Sequence, residues 1–215
     1  TNRIVVDHLS SLLLCPTYMS VKNLESEGIK EGVFHVGDVM LDATLFSSKL
    51  AKEKSSIMAD MNLEANNFAL ATVHRAENTN DGNKLREVMS YLSKIAGEMT
   101  VVMPLHPRTR AALQREDLEP AGVTLIDPIG YLDMRRLLSE ASIVLTDSGG
   151  LQKEAYFHST PCVTLRDETE WVETIESGWN RLWKSEAYKP RTKIIEYGEG
   201  AAAQACVEEV RRFKG

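Results

Sequence analysis

The regular alternation of short apolar runs with longer amphipathic segments is the feature that most constrains the fold of this sequence. Runs rich in Val, Ile, Leu and Thr lie at 68–72, 100–103, 123–125, 142–146 and 161–165, and helical periodicity marks 83–95, 107–115, 131–140 and 151–158. Short strands separated by helices are typical of a parallel sheet that is covered on both faces. The predicted fold class is therefore α/β, a Rossmann-like doubly wound parallel sheet with right-handed crossovers.

The first 56 residues contain two further apolar runs and two further helical segments. We predict strands at 12–15 and 33–36, a helix at 18–27 that ends at Gly28, and a helix at 39–56. A last amphipathic helix is predicted at 201–213. The sequence opens on Thr1-Asn2-Arg3 and enters an apolar pattern at once. We therefore expect it to be a piece of a longer protein.

Composition excludes several classes of function. The 215 residues contain 31 acidic and 25 basic side chains, a net charge of −6, and no basic run, so we expect no nucleic-acid partner. No stretch approaches the ~20 apolar residues that span a bilayer, so we expect no membrane partner. The cysteines Cys15, Cys162 and Cys206 are far apart and form no zinc-type motif, which predicts free thiols in a cytoplasmic protein and no metal site.

Polar segments directly follow four of the predicted strands. In a doubly wound sheet, ligands bind beyond the carboxyl ends of the strands, at a common edge. Four such segments at one edge are stronger evidence for a site than any one of them. The segments are Thr72-Val73-His74-Arg75-Ala76-Glu77-Asn78, Pro104-Leu105-His106-Pro107, Thr146-Asp147-Ser148-Gly149-Gly150 and Arg166-Asp167-Glu168-Thr169-Glu170.

The segment 146–150 has the composition of an anion-binding turn. Gly149 and Gly150 let the backbone approach a ligand closely, and the following helix offers unpaired N–H groups to a phosphate. The alternative is an Asp or Ser N-cap followed by a glycine turn. The segment is neither a Walker loop nor GxGxxG, so a dinucleotide oxidoreductase is disfavoured.

Glu154 and Arg166 each allow two interpretations. Glu154 lies one turn into the helix after the glycines. Its carboxylate is either stabilised there by the helix dipole or accepts hydrogen bonds from the two hydroxyls of a ribose. Arg166 directly follows a strand, where it pairs with Asp167 or Glu170 or clamps a phosphate.

The two histidines at the predicted edge are also candidates. His74, next to Arg75, and His106 suit proton transfer near neutral pH, and a neighbouring phosphate favours the cationic imidazole. A structural hydrogen bond is the alternative for each. The acidic cluster Glu168, Glu170 and Glu173 is interpreted as a helix start, and Trp171, Trp179 and Trp183 as packing residues.

The ordered set of these segments resembles the non-hydrolysing UDP-N-acetylglucosamine 2-epimerase family, and the resemblance covers nearly the whole chain. The matching stretches are Asn2-Arg3, Asp7-His8-Leu9-Ser10, Asn23-Leu24, Glu27-Gly28-Ile29, Val36-Gly37-Asp38, Asp42-Ala43, Thr72 to Asn78, Pro104-Leu105-His106-Pro107-Arg108, Asp147 to Glu154 and Arg166 to Glu173.

The resemblance implies a fold, a reaction and partners. The fold would be the C-terminal domain of a two-Rossmann-domain, glycosyltransferase-B-type structure, with the nucleotide sugar as substrate. The family interconverts UDP-GlcNAc and UDP-ManNAc without NAD or an obligatory metal, so no cofactor is expected. UDP is eliminated across C1–C2 to give a 2-acetamidoglucal and is added back after reprotonation at C2. A homodimer and, in bacterial members, a UDP-GlcNAc activator are also implied.

Residue by residue, the resemblance assigns roles at the predicted edge. Ser148, Gly149 and Gly150 would hold the diphosphate, Glu154 the ribose hydroxyls, and Arg166 would contact UDP. His74 would be catalytic, lying beside the phosphates and assisting the departure of UDP. Arg75 and His106 match positions near the activator.

Three departures from the family pattern matter. The family chain is longer, and nothing here matches its proposed acid/base carboxylates, so we assign 1–36 to the tail end of an N-terminal Rossmann-like domain, 37–200 to the UDP-binding domain and 201–215 to a C-terminal helix. Gln152-Lys153-Glu154 stands where many members have Gln-Glu-Glu, and Trp171-Val172 stands where they have Arg-Pro. These departures leave the identity of the UDP-sugar substrate undetermined. A glycosyltransferase of the same fold and a non-catalytic nucleotide-sugar-binding module are the alternatives.

Overall fold

A computed structural model of the chain describes residues 2–213, in two compact units. One unit comprises Thr1–Phe46 together with Ile194–Gly215, and the other comprises Ser47–Lys193. Thr1 and residues 214–215, which the predicted domain limits include, lie outside the described residues. The assignment of 1–36, 37–200 and 201–215 to separate domains stays a prediction.

The secondary structure of the described residues alternates between helices and short strands. The helices are α1 (Asn2–Leu9), α2 (Tyr18–Ser26), α3 (Val39–Lys54), α4 (Ile57–Asp60), α5 (Ala76–Thr79), α6 (Gly82–Ala96), α7 (Pro107–Arg115), α8 (Tyr131–Glu140), α9 (Gly149–Phe157), α10 (Val172–Glu176) and α11 (Ala202–Arg212). The strands are β1 (Leu13–Cys15), β2 (Val33–His35), β3 (Phe68–Thr72), β4 (Thr100–Pro104), β5 (Val123–Ile126), β6 (Ile143–Thr146), β7 (Cys162–Thr164) and β8 (Asn180–Leu182).

The unit 47–193 is built on a six-stranded sheet with the order β5-β4-β3-β6-β7-β8. Every pair of neighbouring strands is parallel, and Leu70 of the central strand β3 pairs with Val102 of β4 and Val144 of β6. Counted along the unit, this is the order 3-2-1-4-5-6 of a doubly wound sheet, which reverses between β3 and β6. The predicted Rossmann-like α/β class is confirmed.

Two apolar layers cover the faces of this sheet. Successive side chains of a strand point to opposite faces, and in β3 Ala69 and Ala71 join one cluster while Phe68 and Leu70 join the other. The first cluster includes Leu85, Val88 and Leu92 of α6, and the second includes Leu137 and Leu138 of α8. Because both layers bury apolar side chains, the strands appear in the sequence as continuous apolar runs.

The unit of 1–46 and 194–215 contains a smaller core. Strands β1 and β2 form a two-stranded parallel sheet, and Leu13, Cys15 and Leu24 form a buried cluster. The N-terminus of α11 is capped by Asp42, whose carboxylate oxygens accept hydrogen bonds from the backbone N–H groups of Ala202 (3.2 Å) and Ala203 (2.7 Å).

The observed elements differ from the predicted ones in a few places. Helices α7 and α8 have the predicted limits, whereas α1, α4, α5 and β8 were not predicted as regular elements. Helix α9 begins at Gly149, two residues before the predicted start, so both glycines lie in its first turn. In the part of the chain that the structure describes, no helix is both long and apolar enough to span a bilayer.

Candidate functional site

The four polar segments lie at one edge of the six-stranded sheet. Segments 72–78, 104–107, 146–150 and 166–170 follow the carboxyl ends of β3, β4, β6 and β7, which are consecutive in the order β4-β3-β6-β7. Because all these strands are parallel, their carboxyl ends share one edge. The site is centred where the strand order reverses, between β3 and β6, which is where such sheets bind ligands.

The first turn of α9 presents its backbone to this edge. Ser148 is the N-cap residue, and its side chain makes no capping hydrogen bond, so its hydroxyl is not used in the N-cap role considered above. The Ser148 N–H donates to Oγ1 of Thr146 (2.9 Å). A Cβ on Gly149 would collide with the carboxylate of Glu170. Any residue with a side chain at position 149 would therefore displace Glu170. The glycine permits the close approach of an anionic group to the helix N-terminus.

Asp147 joins the β3 and β6 segments, a role that was not predicted. Its fully buried carboxylate accepts hydrogen bonds from the N–H groups of His74 (3.0 and 3.1 Å) and Arg75 (2.9 Å), and from the side-chain amide of Asn78 (3.0 Å). The same Asn78 amide also donates to the Leu165 carbonyl, at 3.0 Å, after β7. The Asp147 carboxylate thus joins the segments after β3 and β6, and Asn78 links them to the residue after β7.

His74 and His106 lie close together beside a cavity. Their ring centroids are 5.4 Å apart, and both side chains line a cavity of about 290 Å³ together with Ser148 and Leu151. Burial lowers the pKa of His74; Asp147 opposes this shift, and His106, Arg75 and Arg108 reinforce it. His74 is therefore neutral at neutral pH in the free chain.

His106 also makes a structural hydrogen bond, the alternative interpretation of this residue. It is the N-cap of α7, and its Nδ1 accepts a hydrogen bond from the Arg108 N–H at 3.1 Å. This bond assigns the proton of a neutral His106 to Nε2. The other ring nitrogen therefore stays available as a donor.

Arg75 and Arg166 converge on one acidic side chain, Glu170. Arg75 Nη2 lies 3.1 Å from Glu170 Oε1, and Arg166 Nη1 lies 2.6 Å from Glu170 Oε2. Burial opposes ionisation of Glu170, but hydrogen bonds from its own backbone and from Arg166 hold its pKa below the ordinary value. Glu170 thus places an anion beside Gly149 and between two arginines, where an external phosphate would also be favoured.

Glu154 lies deeper in α9 than the other candidates. Its side chain is 14% exposed and forms an ion pair with the buried Arg135 of α8. None of the described contacts joins Glu154 to His74, Arg75 or Arg166. The structure therefore brings His74, His106 and Ser148 together at the cavity and Arg75, Arg166 and Gly149 together at Glu170.

Two of the three tryptophans have packing roles, whereas Nε1 of Trp171 lies beside Gly149 at the start of α9. Trp183 belongs to the core and packs edge-on against Tyr91, and Trp179 packs edge-on against Tyr156. Cys15 and Cys162 are buried free thiols, and Cys206 is a half-buried one. Within residues 2–213, no cluster of three or more His, Cys, Asp or Glu side chains could hold a metal ion.

Comparison with known proteins identifies the family. The family model described as UDP-N-acetylglucosamine 2-epimerase matches residues 1–212. A UDP-N-acetylglucosamine 2-epimerase homolog of Methanococcus maripaludis is 41% identical, over 99% of this chain and 64% of its own. The UDP-2,3-diacetamido-2,3-dideoxy-D-glucuronate 2-epimerase of Pseudomonas aeruginosa is 45% identical, over 84% of this chain and 51% of its own.

A solved structure agrees with these sequence matches. The crystal structure of Methanocaldococcus jannaschii UDP-GlcNAc 2-epimerase in complex with UDP-GlcNAc and UDP superimposes with a TM-score of 0.86 at 32% identity, covering 99% of this chain and 64% of that one. The chain thus spans 51% to 64% of the length of these relatives. The chain belongs to the UDP-N-acetylglucosamine 2-epimerase family.

Proposed function

We propose that this chain is the nucleotide-binding part of a UDP-sugar 2-epimerase and that the UDP headgroup lies across the carboxyl edge of its six-stranded sheet. The observation that carries the proposal is the meeting of four polar segments at the point where the strand order reverses, beside the N-terminus of α9. In this proposal residues 1–36 belong to a preceding Rossmann-like domain, 37–200 bind UDP and 201–215 form the terminal helix.

Different residues of this edge bind different parts of UDP. Ser148, Gly149 and Gly150 bind the diphosphate, because the first N–H groups of a helix have no intrahelical partner and the helix dipole favours an anion. Glu154 accepts hydrogen bonds from the ribose hydroxyls, and Arg166 contacts UDP.

His74 assists the departure of UDP. In the elimination, a carboxylate that this chain does not supply takes the proton from C2, the C–H electrons form the C1–C2 double bond, and the electron pair of the C1–O bond leaves with UDP. Burial lowers the pKa of His74 in the free chain. A diphosphate beside His74 favours the cationic imidazole and so acts on this pKa in the opposite direction. The cation then compensates the charge that develops on the leaving group. Re-addition of UDP after reprotonation on the opposite face of C2 gives the epimer.

Calorimetry with UDP tests this assignment directly. Ser148→Ala and Glu154→Ala each weaken binding of UDP, and loss of the Glu154 carboxylate lowers the affinity about ten-fold because a charged hydrogen-bond acceptor is removed. Ser139→Ala and Glu140→Ala are the matched controls, since both lie in the last turn of α8, away from the carboxyl edge. Retention of the parent's affinity in both site variants would place UDP elsewhere.

The isolated chain binds UDP weakly and turns over little substrate, since it spans 51% to 64% of the length of its relatives and matches none of the family's proposed acid/base carboxylates. Proton NMR of UDP-GlcNAc incubated with the chain follows appearance of the C2 epimer. Robust epimerisation by these 215 residues would refute this part of the proposal.

The UDP-GlcNAc activator and the homodimer are proposals of the same kind. Arg75 and His106 are assigned to the activator. UDP-GlcNAc then binds at two distinguishable sites in calorimetry, and Arg75→Gln weakens only the second. Sedimentation of the full-length gene product gives its oligomeric state.

Two alternatives use the same UDP site. A glycosyltransferase of this fold needs an acceptor, whereas an epimerase changes the UDP-sugar alone, so product analysis without an acceptor separates them. A nucleotide-sugar-binding module binds UDP and gives no product even as the full-length gene product.

A second sugar is favoured by one specific observation, the 45% identity with an enzyme named for UDP-2,3-diacetamido-2,3-dideoxy-D-glucuronate. That sugar has a carboxylate at C6 and a second acetamido group, which UDP-GlcNAc lacks. Incubating the full-length gene product with each UDP-sugar separately, and recording the anomeric protons by NMR, decides between them.

A further inference from the structure

Arg135 places a guanidinium group in the interior between α8 and α9. The whole residue is 3% exposed, and its guanidinium lies 4.9 Å from the centre of the Tyr131 ring. Its Nη2 forms an ion pair with Oε2 of Glu154. Among the described residues, no hydrogen-bond partner faces its Nε or Nη1, although both atoms are buried.

Stability alone does not account for this arrangement. A buried charge is costly to desolvate, each orphaned donor adds to that cost, and apolar replacements of a buried ion pair are often neutral or stabilising. Arg135 has one carboxylate partner for five N–H donors. The fold retains a cation where an apolar side chain would pack at lower cost, and its one ionic contact leads to Glu154.

We propose that Arg135 is a positioning residue: it holds one carboxylate oxygen of Glu154 so that the other faces the ribose of the nucleotide. This inference rests on the proposed role of Glu154 in UDP binding. Arg135 pairs with Oε2, and none of the described contacts uses Oε1. A carboxylate fixed through one oxygen presents the lone pairs of the other in a defined direction.

Arg135 is the cation that the structure pairs with the carboxylate of Glu154. His158, at the end of α9, is neutral at neutral pH, because burial, reinforced by the charge of Arg135, lowers its pKa to about 4. Within the described contacts, the charge next to Glu154 is therefore that of Arg135, and an ionised carboxylate accepts a stronger hydrogen bond from a hydroxyl than a neutral one.

This positioning role has a consequence that a general packing role does not have. If Arg135 acts through Glu154, its loss affects the hydrogen bonds to the ribose hydroxyls and spares those to the diphosphate. The affinity ratio of UDP to 2′-deoxy-UDP then reports on Arg135, because the two ligands differ by one hydroxyl group. A variant that only loosens the fold weakens both ligands alike and leaves the ratio unchanged.

The experiment is calorimetry of the 215-residue chain with UDP and 2′-deoxy-UDP. We expect the parent to bind UDP about ten-fold more tightly, the difference of one charge-assisted hydrogen bond. Arg135→Met and Glu154→Gln each reduce the ratio below two-fold while the affinity for 2′-deoxy-UDP stays within three-fold. Arg136→Met, on the next residue of α8 and paired with Glu140, keeps the parent's ratio.

The outcomes separate this inference from the proposed function. If the parent and Glu154→Gln both show no preference for UDP, Glu154 does not bind the ribose and both proposals fall. If the parent discriminates, Glu154→Gln does not, and Arg135→Met still does, the positioning role alone is overturned. Should Arg135→Met fail to fold, Arg135→Lys keeps a charge without the planar guanidinium, and a ratio equal to the parent's would contradict the inference.

Discussion

At the scale of single residues, Asp147 shows how one buried carboxylate organises a site. It accepts hydrogen bonds from three residues that follow β3 and lies in the segment that follows β6. A buried charge is tolerated when donors surround it. Asp147 therefore acts on the backbone of His74 and Arg75 rather than on a ligand.

Replacing Asp147 with Asn keeps its shape but turns an NH₂ group toward backbone donors. We expect Asp147→Asn to lower the free energy of unfolding by about 2–4 kcal/mol, because buried donors lose their acceptor. Urea unfolding followed by tryptophan fluorescence measures this for the unit 47–193, which contains all three tryptophans. Asp127→Asn, whose side chain is 90% exposed, is the control and changes stability by less than about 0.5 kcal/mol. Equal effects of the two substitutions would contradict the assigned role.

His158 makes stability depend on pH. Its pKa is lowered to about 4 by burial in the folded chain and is about 6.5 when unfolded. The unfolded state therefore binds the proton first, so the stabilisation is complete above pH 6.5 and is lost as the pH falls toward 4. Between pH 7.5 and 5.0 this residue accounts for a loss of about 2 kcal/mol, which His158→Gln removes. The same pH dependence in parent and variant, measured by urea unfolding with the exposed His8→Gln as control, would show that another group is responsible.

At the scale of elements, the segment after β7 closes over the start of α9. Glu170 approaches Gly149 and pairs with Arg75 and Arg166. These ion pairs are partly exposed and contribute little to stability. In the proposed binding mode, the diphosphate of UDP must therefore compete with Glu170 for Arg166.

Glu170→Gln removes the competing anion and is expected to raise the affinity for UDP about three- to ten-fold, a difference that falls at high salt. Calorimetry at low and high ionic strength measures it. Glu168→Gln removes the same charge from the same segment, and no described ion pair involves Glu168, so it is the matched control. A lower affinity in Glu170→Gln would mean that Glu170 holds Arg166 in place for UDP rather than competing with UDP for it.

Elements differ in how well the sequence predicts them. Strands β3 to β7 were predicted because strands covered on both faces appear as apolar runs. Strand β8 was missed because its pattern has no apolar run, and pairing of Asn180 with Cys162 of β7 defines it instead. The contacts of Asp147 lie 69–73 positions away in the sequence, and an Asp before Ser-Gly-Gly usually indicates an N-cap. The partner of Arg135 lies 19 positions away, and an Arg on a helix usually indicates an exposed surface. The sequence therefore did not predict the contacts of either residue.

At the scale of the whole molecule, the candidate site lies entirely within the unit 47–193. The segments that build it come from positions spread over almost a hundred residues, and the order of the parallel strands brings them to one edge. The proposed binding of UDP along this edge therefore depends on the strand topology as much as on individual side chains.

A titration of the ¹⁵N-labelled chain with UDP, followed by amide chemical shifts, tests this proposal most directly. We predict that the largest shifts fall in 72–78, 104–107, 146–154 and 166–170, and that amides of 2–35 stay unchanged. Saturable shifts concentrated on any other part of the chain, or none at millimolar UDP, would contradict it.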